Sequence, residues 1–320
     1  MRKKISAIAF VAVLCLSASA VVAPVQASVA TQYVAIGQSN GTNTGCDNPA
    51  FGTTTYDGSA YWAVKHALKT VAEGGRVYLC AGEYDFTTGL RLNNSNVQTN
   101  IVIAGAGAGK TVLDGLGSYR VLWANFSSGQ LTIQGLTIQN SFGGEGGALC
   151  QAGDFDLVIN QVSFINNESV SYGGAIGCTN GNSLRITNSL FKDNDAGSHG
   201  GAIDVHQDEG TFITGTDFIG NHSDSDGGAL GANGSNPLEV QNSRFIGNTS
   251  GENGGAIWFT RDEIKITRSM FMNNVASGTG GAVALRSGLT GAKRRIAAFN
   301  SFRKNRSSLG RSTWDVALMN

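Results

Sequence analysis

Apolar and polar residues alternate in short runs through the second half of the chain. Leu184-Arg185-Ile186-Thr187, Leu238-Glu239-Val240-Gln241 and Ile264-Lys265-Ile266-Thr267 each put two aliphatics on one side and polar residues on the other. That is the period of a half-buried strand. A second set of runs includes Ile203-Asp204-Val205-His206, Ile257-Trp258-Phe259-Thr260 and Val283-Ala284-Leu285-Arg286, and a third surrounds a recurrent Phe. Nothing between them is long or apolar enough for an amphipathic helix. The pattern predicts three short strands per structural unit.

The unit repeats. Phe and Asn three residues apart recur at Phe164/Asn167, Phe191/Asn194, Phe218/Asn221, Phe245/Asn248, Phe271/Asn274 and Phe302/Asn305. Gly-Gly-Ala plus an aliphatic residue begins at Gly146, Gly173, Gly200, Gly227, Gly254 and Gly280, at intervals of 27 residues and finally 26. A unit of this size buries its apolar face only against its neighbours, so the array is a solenoid. With three strands per turn and successive turns about 4.8 Å apart, the expected fold is all-β, a single-stranded right-handed parallel β-helix. The Phe side chains should stack inside, the Asn side chains should form a ladder at a turn, and the Gly pair should serve the tightest corner. Repeated residues are read as scaffold.

Residues 74–140 continue the β-helix less regularly, through Arg76-Val77-Tyr78-Leu79, Leu90-Arg91-Leu92, Ile101-Val102-Ile103 and Leu131-Thr132-Ile133. Ahead of them, Tyr61, Val64, Ala67, Leu68 and Val71 share one face of a helix expected over Ser59–Ala72. This helix is expected to cap the open end of the β-helix, with residues 28–57 as a surface lead-in. The regular array is expected to run to residue 310, leaving 311–320 as a C-terminal end.

The fixed phase of Gly-Gly-Ala-[Ile/Leu/Val] and Phe-x-x-Asn resembles the repeats of chlamydial polymorphic outer membrane proteins and their bacterial relatives, over about residues 140–310. The stretch Gly74–Tyr84 after a helix resembles, more broadly, the opening of pectin-lyase-like β-helices. The first resemblance implies a secreted or surface-exposed protein associated with adhesion, placed at the cell envelope or outer membrane. Those proteins end in a long β-barrel, whereas this chain stops at Asn320 shortly after its last repeat. The expectation is therefore a soluble secreted or envelope-associated protein rather than an autotransporter.

Export is also the reading of the first residues. Arg2, Lys3 and Lys4 precede an apolar run over Ile5–Ala23, and Val25-Gln26-Ala27 offers small residues for cleavage after Ala27, the pattern of a signal peptide over 1–27. Without it the chain has 20 basic and 23 acidic residues, a charge of −3. That balance does not favour nucleic acid or an anionic surface. Four of the five cysteines then remain, Cys46, Cys80, Cys150 and Cys178. In an oxidising compartment they suggest two disulfides, with Cys46–Cys80 and Cys150–Cys178 the preferred pairing. Strict strand alternation counts against the second bond.

Candidate chemistry is sparse. Ala104–Thr111, AGAGAGKT, fits a loose phosphate-loop pattern, but the β-branched residues after it predict a strand where a nucleotide site needs a helix. No nucleotide is expected. The densest set of ionisable groups is His199, Asp204, His206, Asp208 and Glu209, with Asp193, Asp195, Asp224 and Asp226 at neighbouring corners. If the chain were an enzyme, Asp204, His206, Asp208 and Glu209 would carry acid–base work in a polysaccharide lyase or glycoside hydrolase. A Ca²⁺ ion bridging Asp208, Asp224 and Asp226 is conceivable, although no dense ligand loop is present; no cofactor is otherwise expected. The outward row after the triplets is expected to be Gly177, Asp204, Gly231, Trp258 and Ala284, followed by Thr179, His206, Asn233, Thr260 and Arg286. An exposed Trp258 beside Asn233, Thr260 and Arg286 would suit a sugar ring or a protein surface. The sequence thus points to a monomeric, non-catalytic interaction protein, its partner a cell-surface protein or polysaccharide. The alternative is an extracellular polysaccharide lyase or hydrolase.

Overall fold

The computed structural model describes residues 31–179, 181–206, 209–233, 237–261, 263–285, 289, 296, 298–308 and 316–318. The leader at 1–27, Asp208 and Arg286 lie outside them, as do the side chains of Cys178 and Thr179. The chain winds into a right-handed parallel β-solenoid. Each residue of one turn pairs with its equivalent one repeat later, as in Leu184↔Thr211, Phe191↔Phe218 and Ile203↔Leu230.

Four strand positions, not three, make up a regular turn. One 17-stranded sheet collects both the Leu184–Thr187 position and the Phe position at Leu190–Lys192; earlier, in Gln130–Gln139 and Asp156–Ile165, the two are one continuous strand. The Gly-Gly-Ala strands form part of a nine-stranded sheet. The unexpected position is a seven-stranded ladder of two-residue strands after each Asn, including Asp195–Ala196, His222–Ser223 and Thr249–Ser250. Its apolar content is too small to register as a strand in a periodicity reading.

Inside, the six Phe rings stack face to face in one column, with centroids 4.7–5.0 Å apart and planes within 10°. The Asn column is a ladder with its polar groups paired. Asn194 Nδ2 donates to Asn221 Oδ1 (2.9 Å) and to Phe164 O (3.1 Å), and Asn194 N donates to the same Asn221 Oδ1 (3.1 Å). Asn167, Asn221, Asn248 and Asn274 make the same three bonds, so the column runs from Asn167 to Asn305. A buried amide is tolerated here because each donor and acceptor has a partner.

Helix Ala60–Thr70 begins at Ser59, whose hydroxyl accepts from Trp62 N. It buries Ala60, Ala63, Val64, Ala67 and Leu68 against the first strands. Val64, Ala67, Leu68 and Val71 of the expected stripe are buried and Tyr61 packs half-buried at its edge, with Ala60 and Ala63 widening the buried face. The segment expected as a surface lead-in contributes strand Thr31–Ala35, which pairs in parallel with Arg76–Leu79. Cys46 and Cys80 are bonded, tying the remainder of that segment to the solenoid. Cys150 is a disulfide cysteine too; the side chain of Cys178, its expected partner, is outside the described residues. The strand Ile176–Thr179 carries a bulge, Ile176 and Thr179 pairing with Ile203 and Val205, so the strict alternation that weighed against a Cys150–Cys178 bond does not hold there. At the other end, Val316–Leu318 adds a strand beyond the last triplet.

Candidate functional site

The ionisable cluster sits on the outer face of the nine-stranded sheet. That face is covered. The residues before each triplet fold back over it, and Gly N–H groups bond to carbonyls one turn on: Gly173 to His199 (3.0 Å), Gly200 to Asp226 (3.0 Å), Gly227 to Asn253 (2.8 Å). Gly200 shows why glycine is needed: its φ is +66°, and a Cβ would lie 2.0 Å from Ile203 O. Consequently the row expected to face outward is buried. Asp204 is 2% exposed, Trp258 9% and Ala284 0%.

Trp258 is therefore not an exposed platform. Its ring stacks on His199 at 4.7 Å, and His199 stacks in turn on Tyr172 at 5.6 Å. Trp258 and His199 belong to turns two repeats apart. Between them lies Gly231, where a Cβ would be 3.2 Å from His199 Cβ and 2.6 Å from Asp204 Oδ1. The missing side chain at Gly231 makes room for both the Asp204 carboxylate and the His199 ring.

Asp204 Oδ2 lies 3.0 Å from His206 Nε2. Burial pushes the Asp204 carboxyl up, opposed by the hydrogen bond and charge of His206 and by the charge of His199. The Asp204 hydrogen bond raises the His206 pKa, against burial and the nearby Arg261, with Glu145 adding to the rise. The pair holds its proton more tightly than the isolated groups would. His206 is the partner that reaches solvent, its side chain 38% exposed.

The other predicted residues separate. Glu209 is exposed and bonds through its backbone N–H to Asn182. Asn233 and Thr260 pair with each other, Thr260 Oγ1 donating to Asn233 Oδ1 at 2.7 Å, and Arg261 Nε donates to Asn233 O at 2.5 Å. Asn233 and Arg261 are exposed and Thr260 is half-buried, whereas Trp258 is buried. Asp226 Oδ1 accepts from Asn253 N and Nδ2, both at 2.9 Å, and its Oδ2 lies 3.6 Å from His199 Nδ1. Asp224 lies 3.3 Å from His222 Nε2 instead. Among the described residues no three His, Cys, Asp or Glu are arranged to hold a metal. The Ala104–Thr111 loop leads into strand Thr111–Asp114, and the buried Thr111 hydroxyl bonds to Leu79 O and Cys80 O.

The site is covered by a column, Glu145, Tyr172, His199, Asp226, Asn253 and Thr279, of which sequence reasoning singled out only His199 and Asp226, as ionisable groups rather than as cover. Each directly precedes a Gly-Gly pair. That spacing was legible; its folding back over the sheet was not.

Residues 161–179 and 242–260 match the Chlamydia polymorphic membrane protein repeat. Each matched segment holds one Phe-x-x-Asn and one Gly-Gly-Ala motif, so the repeat assignment and the observed ladder agree. Among solved structures, the A-module of the mannuronan C-5 epimerase AlgE6 of Azotobacter vinelandii is similar at 14% identity and a TM-score of 0.25, over 82% of this chain and 94% of that one. No curated protein matches the chain. None of the described helices is long and apolar enough to cross a membrane.

Proposed function

We propose that this chain is a secreted or cell-surface repeat protein with a non-catalytic, adhesin-like role, its solenoid holding a surface for a cell-surface protein or polysaccharide. The observation that carries this reading is the use to which the catalytic residue types are put. Asp204 is buried and bonded to His206, His199 is held between Tyr172 and Trp258, and Asp226 is bonded to Asn253. The first of these bonds is local and the others join turns, so the groups are engaged in packing, and a hydrolase needs a second carboxylate free to face the same substrate. The match to a membrane-protein repeat supports a place at the cell surface. The polysaccharide lyase or hydrolase reading rests on one feature, the half-exposed His206 with a carboxylate behind it, which is the make-up of an acid–base group.

The test is a depolymerisation screen of the chain from Ser28 onward on uronate-rich and neutral polysaccharides, with and without Ca²⁺. An Asp204→Ala, His206→Ala double variant runs beside it, and both proteins are assayed for binding to cell surfaces. No cleavage by either protein, with cell binding by both, is the expected result. Cleavage that disappears in the double variant would overturn the non-catalytic reading.

A further inference from the structure

The outer face of the nine-stranded sheet is covered wherever Gly-Gly-Ala precedes the strand. The earliest strands of that sheet, Leu90–Asn93 and Leu122–Asn125, have no such triplet before them. Here the outer column opens. Arg91 is exposed and Trp123 half-buried, in the column that continues as the buried Cys150. Arg91 lies over the Trp123 ring, 5.4 Å from its centroid. Beside them is a cleft of about 200 Å³ whose lining includes Arg91, Ser118, Tyr119, Arg120 and Trp123.

Arg120 is held rather than free to swing. Its Nε donates to Gly146 O (2.7 Å) and its Nη2 to Glu145 O (2.5 Å). Burial, then the Arg91 charge, lowers its pKa, with Glu145 opposing. The cleft therefore brings two guanidinium groups together against one nearby carboxylate, a local field that favours an added anion. On its far side, Arg91 borders a smaller crevice with Lys65 and Lys69 of the helix. Cations thus run from the helix across to the cleft, and Tyr119 (41% exposed) and Trp123 add aromatic surface.

We propose that the cleft formed by Arg91, Tyr119, Arg120 and Trp123 binds a carboxylated sugar unit of an acidic polysaccharide. A guanidinium fork matches a carboxylate, and an indole or phenol face matches the apolar face of a sugar ring. The continuation through Lys65 and Lys69 suits a polymer with recurring carboxylates better than a single small anion. This site deepens the surface-binding reading by naming a ligand class and a place, and its lining residues are distinct from those of the Asp204 cluster.

The experiment is titration of the chain from Ser28 with a tetrameric oligouronate, a neutral tetrasaccharide, acetate and a single-stranded oligonucleotide, followed by calorimetry and tryptophan fluorescence. Arg91→Gln removes a charge from an exposed side chain, and Trp123→Leu removes the ring; circular dichroism checks both folds. Saturable oligouronate binding is expected, weakened about tenfold or more by Arg91→Gln, the loss of roughly one charge-assisted contact. Trp123→Leu should weaken it too, and acetate and the neutral sugar should bind far less. No saturable binding, equal binding of the neutral sugar, tighter binding of the oligonucleotide, or an unchanged affinity in Arg91→Gln would each overturn the proposal. A protein that binds oligouronate but no cell surface would refute the surface role and leave this site standing. Cell binding without oligouronate binding would refute this site alone.

Discussion

Removing one rung from the middle of the asparagine ladder should cost far more than removing its last rung. Asn221 is fully buried, and its side chain takes part in four hydrogen bonds. Its Oδ1 accepts from Asn194 N and Nδ2, and its Nδ2 donates to Phe191 O and Asn248 Oδ1. In Asn221→Ala, Asn194 Nδ2 keeps Phe164 O, and Asn248 Oδ1 keeps the Asn221 backbone N–H. Asn194 N loses its partner, and Phe191 O loses the amide that bonded it. Each buried group left without a partner costs about 1–3 kcal/mol, so the variant should lose roughly 2–6 kcal/mol, before any cavity cost. Asn305 is only partly buried at the end of the column, and water can replace its amide, so Asn305→Ala should cost about 1 kcal/mol. Asn221→Asp keeps the shape but sets an oxygen against Phe191 O and Asn248 Oδ1. It should be at least as damaging as alanine, and more so as pH rises above about 4, where the carboxyl ionises in the unfolded chain while burial among oxygens opposes its ionisation in the folded one. Urea denaturation followed by circular dichroism gives the midpoints, read as a series because long arrays can unfold in steps. Equal losses at Asn221 and Asn305, or a loss below about 1 kcal/mol at Asn221, would refute the ladder as a source of stability.

Three further outcomes follow from named contacts. Phe218→Ala opens a void between the rings of Phe191 and Phe245 and should cost about 3–5 kcal/mol in the same denaturation assay. Both Asp204 and His206 have raised pKa values, so the folded state binds their shared proton more tightly than the unfolded chain does. The His206 contribution is fully present below about pH 6.5 and is lost as pH rises through its raised value, so above about pH 6.5 the wild-type melting temperature should fall more steeply than that of Asp204→Asn; parallel curves would refute the coupling. Reduction of Cys46–Cys80, or its replacement by two alanines, should lower stability by about 3–4 kcal/mol on the loop-entropy argument, measured as a fall in the thermal midpoint.

The solenoid was legible because its determinants recur. A Phe at one spacing and a Gly-Gly-Ala at another, held in phase, leave few ways to bury the apolar side of each turn. The two-residue strands after each Asn were not legible, since a pair such as Asp195-Ala196 has no period of its own and is a strand only through its neighbours above and below. Trp258 misled for a related reason. Strand alternation correctly set it on the side opposite Ile257 and Phe259, but alternation distinguishes the two faces of a sheet without saying whether the outer face meets water. The corner before each triplet decides that, and its path depends on glycine conformations and on ladder bonds between turns.

That distinction also orders the candidate sites. In the regular turns the Gly-Gly corner lies over the outer column, so a chemically suggestive residue such as Asp204 or Trp258 is enclosed by the repeat itself. In the first turns the triplet is missing and Ser118–Arg120 takes its place, so the same column, at Arg91 and Trp123, stays open. Residues that fall on the repeat but change its character become buried specialities of the scaffold. Residues that fall where the repeat is broken are the ones solvent and ligands can reach. The Arg91–Trp123 cleft satisfies the second condition and the Asp204–His206 pair satisfies it only through the histidine edge, which is why binding is assigned to the first and proton-linked stability to the second.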